Sequence, residues 1–133
     1  MQKLGYDYPF EQVRTVLRQA QIVFGNLEGP LTDGGAPMPD KKYVFRSPPD
    51  QIAPALARAG FNVVSLANNH SMDYGVQGLE DTRAALEKNG IQPVGAGRNL
   101  APGIYVALIT TAGGLLNDMG GFRVRVTLSP IKA

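Results

Sequence analysis

The fold is decided by the stretch Phe61–Gly75, which reads Phe-Asn-Val-Val-Ser-Leu-Ala-Asn-Asn-His-Ser-Met-Asp-Tyr-Gly. Its apolar run at residues 63–67 is rich in β-branched side chains and predicts a buried strand. The run ends in Asn-Asn-His at residues 68–70, side chains that bind ligands and hydrogen-bond well but fill cores poorly. Asp73 follows three residues later. Because sites in α/β proteins lie beyond the carboxyl ends of strands, this stretch predicts a functional loop.

Helical and strand patterns alternate through the first hundred residues, which predicts an α/β fold: a layered, largely parallel sheet with flanking helices. Strands are expected at 22–24, 43–46, 63–67, 91–94 and 104–109, and helices at 8–20, 52–59 and 75–89. Pro54 suggests that the second helix becomes regular only there. The last strand, at residues 122–128, alternates apolar and polar side chains, so we expect it to be antiparallel or at an edge. A length of 133 residues fits one domain, residues 1–133.

Composition excludes several classes of protein. Hydrophobic residues make up 44% of the chain and charged residues 18%, as in a globular protein. The net charge of +2 comes without a basic cluster, so no nucleic-acid partner is expected. The absence of cysteine excludes disulfides, thiolate metal sites and cysteine nucleophiles. No stretch approaches the roughly 20 apolar residues of a membrane span, and residues 1–7 lack the apolar region of a signal peptide.

Three familiar kinds of active site fit the polar residues poorly. His70, Ser71 and Asp73 are too close in sequence to align as a serine-hydrolase triad, and no nucleophile-elbow motif is present. Glu28 and Asp73 could form a glycosidase-type carboxylate pair, but nothing in the sequence fixes their separation. A zinc site built from several histidines is excluded within one chain, because His70 is the only histidine.

An oxygen-rich metal or phosphate site remains. Glu28 follows the strand at 22–24 and Asn69 follows the strand at 63–67, and both offer the oxygen ligands that hard cations prefer. His70 would then donate a proton or stabilise charge, and Asp73 would accept the other ring N–H and orient the imidazole. The alternative is structural: the asparagines satisfy turn backbone, and His70 and Asp73 form a hydrogen bond without catalytic meaning.

Several separate motifs occur in an order that resembles a known family. They stand at residues 26–31 (Asn-Leu-Glu-Gly-Pro-Leu), 45–49 (Phe-Arg-Ser-Pro-Pro), 59–75, 78–82 and 95–99. Together they resemble the bacterial capsule-synthesis family, the CapA or poly-γ-glutamate biosynthesis group with its PGA_cap domain, over residues 8–99. That domain is similar to calcineurin-like metallophosphoesterases. The resemblance therefore implies part of their α/β/β/α sandwich.

The resemblance also implies roles for individual residues. Glu28 and Asn69 match metal-binding positions, and His70 and Asp73 match the catalytic histidine and its acidic partner. Candidate substrate-binding residues lie in the same motifs: Asn26, Arg46 and Asn68. The implied cofactor is a divalent metal, Mn, Fe or Zn, and the implied substrate is an anionic polymer or a phosphorylated small molecule. The implied location is the cell envelope.

Departures from the family pattern temper these expectations. The family's Gly-Asp metal motif should precede Tyr8, where only Gly5-Tyr6-Asp7 stands, and the later metal-binding histidines are absent. The chain thus resembles the amino-terminal half of a larger domain, with an incomplete metal centre and weak or no activity. An uncovered sheet edge would favour self-association or a partner chain. The alternatives are a non-catalytic binding module that keeps the scaffold and a hydrolase completed by another chain.

Overall fold

The computed structural model of the protein describes three parts of the chain: residues 4–96 and, as backbone, the strands at 105–111 and 124–130. The contacts divide the chain into two compact units, residues 1–93 and residues 94–133. The prediction of a single domain over the whole chain stays a prediction. Among the described residues, no helix has the length and apolar character needed to cross a membrane.

Helices and strands alternate from α1 to β3, and the predicted α/β class is confirmed. The elements follow in this order: a 3₁₀ turn at Tyr8–Phe10, α1 at Arg14–Leu17, β1 at Phe24–Asn26, α2 at Pro49–Ala59, β2 at Val63–Ser65, α3 at Gly75–Lys88, β3 at Gln92–Val94, β4 at Tyr105–Thr111 and β5 at Val124–Pro130. The first predicted helix is therefore two short pieces rather than one continuous segment.

The sheet that carries the polar loops has the strand order β1-β2-β3. Strands β1 and β2 run parallel, with Gly25 opposite Val64 and Asn26 opposite Ser65. The Leu27 N–H donates to the Ser65 carbonyl at 3.0 Å and continues this pairing past the end of β1. Because parallel strands end at the same edge of a sheet, the chain segments after β1 and β2 leave side by side.

The core is made of small and aliphatic side chains from the strands and helices. Fully or almost fully buried are Val23, Ala53, Ala55, Leu56, Ala59, Val64, Leu66, Leu86, Ile91 and Val94. Helix α2 packs on α1 and on α3, and it ends at Gly60, whose φ of 110° is left-handed and suits glycine. This burial supplies most of the stability of such a domain, at about 25 cal/mol per Å² of apolar surface.

Helix α3 is tied to the segment that follows β1. Its buried positions Gly78, Thr82 and Leu86 are spaced by four residues and form one face. The Thr82 hydroxyl donates to the Gly78 carbonyl at 2.6 Å and accepts the buried Leu31 N–H at 2.8 Å. A side chain at Gly78 would meet the Tyr74 Cβ at 2.7 Å, so the close approach requires glycine. These contacts hold the chain just beyond Glu28 in place.

Two predictions about the segment before β2 are wrong. Residues 43–46 do not form a strand; the nearest ladder contact is an isolated parallel bridge between Leu31 and Ser47. Helix α2 begins at Pro49 and includes Pro54, without a side-chain cap. A proline inside a helix costs about 3 kcal/mol, and the burial of alanine and leucine side chains along α2 offsets it.

Strands β4 and β5 form a separate two-stranded sheet. They are antiparallel, with a register that runs from Tyr105 opposite Pro130 to Thr111 opposite Val124. The expectation of an antiparallel last strand is thereby confirmed. The motif at 95–99 lies outside the described residues from position 97 onward.

Candidate functional site

The loops that follow β1 and β2 are fastened to each other by Asn68. Its Nδ2 donates to the Asn26 Oδ1 at 3.1 Å and to the Leu27 carbonyl at 2.9 Å. Its Oδ1 accepts the His70 backbone N–H at 3.0 Å. All the polar atoms of this side chain's amide are thus engaged within the protein. Asn68 brings the two predicted motifs together and sets the start of the turn that carries His70.

His70 and Asp73 form the hydrogen-bonded pair that the sequence suggested. The His70 Nδ1 lies 2.8 Å from the Asp73 Oδ2, and the Asp73 backbone N–H donates to the His70 carbonyl at 3.1 Å. Asp73 is fully buried, while 8% of His70 is exposed. The other ring nitrogen, Nε2, faces the Glu28 Oε1 at 3.8 Å. One side of the imidazole is therefore internal and the other meets an open carboxylate.

Asp73 is the most heavily hydrogen-bonded carboxylate of the site. Its Oδ2 accepts the Phe45 backbone N–H at 2.7 Å in addition to the His70 contact, and its Oδ1 accepts from the Lys41 ammonium. Burial raises the pKa of Asp73, and the hydrogen bonds from Lys41, Phe45 and His70 lower it. Together these hydrogen bonds outweigh the burial, so the net pKa lies below the ordinary value of 3.8. The carboxyl group is accordingly ionised at neutral pH.

The segment 38–45 closes over the Nδ1 side of His70. The Met38 N–H donates to the Asp73 carbonyl at 2.8 Å, and the Phe45 ring lies 4.5 Å from the His70 ring, centroid to centroid, tilted by 40°. Gly29 has a φ of 97°, and a side chain there would stand 3.1 Å from the Phe45 Cβ. Glycine at this position therefore allows Phe45 to reach the histidine.

Glu28 and Asn69 lie on the open side of the site. Both residues are exposed, and the Glu28 Oε2 receives a long hydrogen bond of 3.4 Å from the Asn26 Nδ2. The Asn69 backbone carbonyl accepts a hydrogen bond of 2.5 Å from the Lys41 Nζ. Arg46 is exposed as well, and its guanidinium stands 5.2 Å from the centre of the Tyr74 ring. The structure thus brings Asn26, Glu28 and the 68–73 turn together.

The donors of this site fit a divalent metal only in part. The Glu28 carboxylate and the Asn69 amide supply the hard oxygen ligands that such an ion prefers. Within the described residues, however, no group of three or more His, Cys, Asp or Glu side chains is placed to hold a metal. Since protein metal sites use about three to eight ligands, these side chains alone do not complete one.

Asp7, the weak match to the family's Gly-Asp motif, is engaged elsewhere. Its carboxylate accepts from Arg58 at 2.8 Å and 3.0 Å and from Arg14 at 3.0 Å. The hydrogen bond from Arg58 is the main cause that lowers the pKa of Asp7. Asp7 therefore ties the amino-terminal segment to α2.

Two residues at the site were missed by the sequence analysis. Lys41 contacts both Asn69 and Asp73, and Phe45 packs against His70. Phe45 belongs to the motif at 45–49, which was a usable signal. Lys41 lies in a turn-rich segment without periodicity, and nothing in its sequence surroundings distinguishes it from Lys42.

Fold and site together define a class: an α/β protein with a histidine–aspartate pair and a facing carboxylate at the carboxyl edge of parallel strands. The chain belongs to the bacterial capsule synthesis family, because the family described as "Bacterial capsule synthesis protein PGA_cap" matches residues 1–119. The resemblance over residues 8–99 is confirmed, and the match reaches further along the chain.

Named relatives agree with this membership. The chain is 37% identical over 99 residues to the "Capsule biosynthesis protein CapA" of Bacillus anthracis, covering 73% of this chain and 24% of that protein. It is 40% identical over 109 residues to a "Probable polyglutamine synthesis accessory protein" of Mycobacterium tuberculosis, and the match covers 80% of this chain and 28% of that protein. It is 36% identical over 98 residues to the "PGA biosynthesis protein CapA" of Bacillus subtilis, and the match covers 73% of this chain and 26% of that protein. The chain thus spans about a quarter of the length of these relatives.

Proposed function

We propose that this chain serves capsule or poly-γ-glutamate biosynthesis as a hydrolase of the metallophosphoesterase type. Its reaction would be hydrolysis at a phosphoryl or related group of an anionic polymer or a phosphorylated small substrate. The proposal rests above all on the His70 ring, which is bound at Nδ1 by the buried Asp73 and open at Nε2 beside Glu28. A fixed imidazole with one accessible nitrogen is the arrangement that general acid–base catalysis requires.

The chemistry follows from the two sides of the ring. Asp73 accepts the Nδ1 hydrogen and holds the ring plane, and the Phe45 ring limits its rotation. Nε2 then exchanges a proton with a water molecule or with the leaving group of the substrate. Glu28, opposite Nε2, stabilises the positive charge that the imidazole carries after taking a proton. Such proton transfer contributes about 10²- to 10⁴-fold to a reaction rate.

An anionic substrate is supported by basic side chains next to the site. Lys42 and Arg46 flank the segment that packs on His70, and both are exposed. In the part of the chain that the structure describes, neither forms a salt bridge; Lys42 lies over the Tyr43 ring and Arg46 over the Tyr74 ring. Exposed cations with aromatic neighbours attract anions and keep their charge available to a ligand.

A divalent metal, Mn, Fe or Zn, is part of the proposal. Glu28 and Asn69 would hold it, and the donors still needed would come from beyond the described residues or from another chain. When bound, the ion would activate water and stabilise negative charge on the phosphoryl group. The metal centre of this chain would be incomplete without those further donors.

The test is hydrolysis of a generic phosphoester, with added Mn²⁺ and with a chelator, by the wild-type chain and by His70→Ala. We expect His70→Ala to lower turnover by about 10²- to 10⁴-fold. Asp7→Asn is the matched control, because Asp7 binds Arg14 and Arg58 instead of the histidine. Equal turnover by wild type and His70→Ala would remove His70 from the mechanism.

A non-catalytic binding module is the second candidate, and the small number of metal donors among the described residues favours it. In that case poly-γ-glutamate would bind without being hydrolysed, and binding would weaken in Lys42→Met and Arg46→Met but stay constant in His70→Ala. Titration of a labelled polymer, followed by fluorescence anisotropy at two salt concentrations, distinguishes the two candidates.

Completion by another chain is the third candidate. Strand β1 has one neighbour in its three-stranded sheet, and the side chain of Phe24 on β1 is exposed. An edge strand with an apolar side chain is suited to pairing with a second chain. Light scattering over a wide concentration range should then detect a dimer, and Phe24→Lys should abolish it. A monomer at every concentration would contradict this candidate.

A further inference from the structure

Lys41 contacts both ends of the turn that carries His70. Its Nζ donates to the Asp73 Oδ1 and, at 2.5 Å, to the Asn69 carbonyl, and it lies 3.4 Å from the His70 Nδ1. The side chain is 27% exposed, so most of it is enclosed between its own segment and the turn. One ammonium group therefore joins the residue before His70 to the partner of its ring.

The contacts of Nδ1 determine which ring nitrogen carries hydrogen. An ammonium group can only donate a hydrogen bond, and an ionised carboxylate can only accept one. The distance of 2.8 Å from Nδ1 to Asp73 is a normal hydrogen bond, whereas 3.4 Å to Lys41 is at the outer limit. Nδ1 therefore carries the hydrogen and donates it to Asp73. In the neutral ring, the lone pair lies on Nε2, on the side of Glu28.

Lys41 fixes the orientation of the Asp73 carboxylate that accepts the Nδ1 hydrogen of His70. Both oxygens of the buried carboxylate are in use: Oδ1 by Lys41, and Oδ2 by the His70 ring and the Phe45 N–H. Without Lys41, Oδ1 would be a buried acceptor lacking its donor, which is costly, and the carboxylate would turn to share its remaining donors. The Asn69 carbonyl would lose a donor as well. The Nδ1–H bond would then no longer have a single fixed acceptor.

We propose that Lys41 is a positioning residue for the His70–Asp73 pair. By holding the Asp73 Oδ1 and the Asn69 carbonyl, it keeps the Nδ1 hydrogen bound and directs the Nε2 lone pair toward the open side of the site. Its meaning for catalysis rests on the proposed function. The hydrogen bond that it protects is measurable without any activity.

The experiment uses the fact that His70 is the only histidine in the chain. Proton NMR with ¹⁵N-labelled histidine therefore reports on this one ring. In the wild type we expect a downfield Nδ1–H signal that exchanges slowly with water. Lys41→Met should speed that exchange or broaden the signal beyond detection, because the Asp73 carboxylate that accepts the Nδ1 hydrogen is no longer held at Oδ1. Lys41→Arg should restore it in part.

Two control variants separate positioning from general loosening. Lys42→Met removes the neighbouring ammonium, which does not contact Asp73, and Thr82→Val weakens the fold at the Leu31 N–H. Both should keep the wild-type ring signal. If Lys41→Met fails to fold, Lys41→Gln takes its place. An unchanged signal in the Lys41 variant, a lost signal in Thr82→Val or no Nδ1–H signal in the wild type would overturn the proposal.

Phosphoester turnover, measured on the same samples, separates this proposal from the proposed function. We expect Lys41→Met to lower kcat by about 10- to 100-fold, the usual effect of losing such a partner, with KM unchanged. If the NMR result is as expected but no variant, including the wild type, hydrolyses the substrate, the positioning role stands and the proposed function fails.

Discussion

The two sides of the His70 ring differ in almost every physical respect. On the Nδ1 side, Asp73 is fully buried and accepts three hydrogen bonds, and the segment 38–45 covers the pair. On the Nε2 side, Glu28 is 52% exposed and stands 3.8 Å away with one long hydrogen bond. The closed side consists of groups that fix the ring. The open side consists of exposed polar groups, Glu28 and Asn69.

This difference separates stability from chemistry within one site. Substitutions on the closed side should lower the free energy of unfolding, because they leave buried polar groups without partners. Substitutions on the open side should leave folding almost unchanged, because water replaces what is removed. The two classes of variant therefore test whether the groups that fix the His70 ring on the closed side are needed for the chemistry on the open side.

Asp73→Asn should have the largest effect on stability. It removes a buried charge from between Lys41, the Phe45 N–H and the His70 ring, and breaking such a network costs about 3–5 kcal/mol. Urea unfolding followed by circular dichroism would measure the loss. Asp7→Asn is the matched control on a carboxylate that is only partly buried, with 38% of its side chain exposed, and it should cost far less. Similar losses for the two variants would mean that Asp73 is not the structural centre of the site.

Acid should weaken the closed side next. The pKa of Asp73 is lower in the folded chain than in the unfolded chain, so its contribution is fully present above the unfolded value of about 3.9 and is lost as the pH falls through the lowered folded value. Stability should therefore fall steeply below about pH 4 in the wild type and less steeply in Asp73→Asn. Unfolding curves at a series of pH values give both slopes. Equal slopes would contradict the assignment.

Phe45→Ala should have an intermediate effect. It removes the aromatic contact with His70 but keeps the backbone N–H that binds Asp73, so the loss should be about 0.5–1.5 kcal/mol. The His70 ring proton signals should shift, since a neighbouring ring current disappears. Tyr43→Ala, which removes an exposed ring two residues away, is the control and should leave those signals in place. If Tyr43→Ala shifts them equally, the Phe45 contact is not specific.

The sequence predicted the meeting of the two loops because that meeting follows from local patterns. The apolar runs at 22–24 and 63–67 located the two strands approximately, although β1 lies two residues later, at Phe24–Asn26, and β2 ends at Ser65. Parallel pairing then places the ends of the two strands together. The spacing from His70 to Asp73 was also visible, and three residues of turn are enough to close the hydrogen bond. These features depend on neighbours in sequence or on a general rule of sheet topology.

The part of the closed side that Lys41 and Phe45 supply was not predicted, because it depends on contacts between distant residues. Residues 43–46 have the side chains of a strand, yet the Phe45 N–H is bound to the Asp73 side chain instead of a neighbouring strand. Lys41 reaches Asp73 across 32 residues of sequence. Neither contact leaves a periodic pattern. Tertiary hydrogen bonds here override the strand propensity of the segment.

Glu28→Gln should have the smallest effect on folding and a large effect on turnover. Glu28 is half exposed, so the substitution should change the free energy of unfolding by no more than about 0.5 kcal/mol. It also removes the negative charge facing Nε2, so phosphoester turnover should fall by up to about 10²-fold if the open side carries the chemistry. Glu87→Gln, on the exposed face of α3, is the control for both measurements. A stable Glu28→Gln variant with full turnover would remove Glu28 from the mechanism and would show that the carboxylate facing Nε2 does not carry the chemistry.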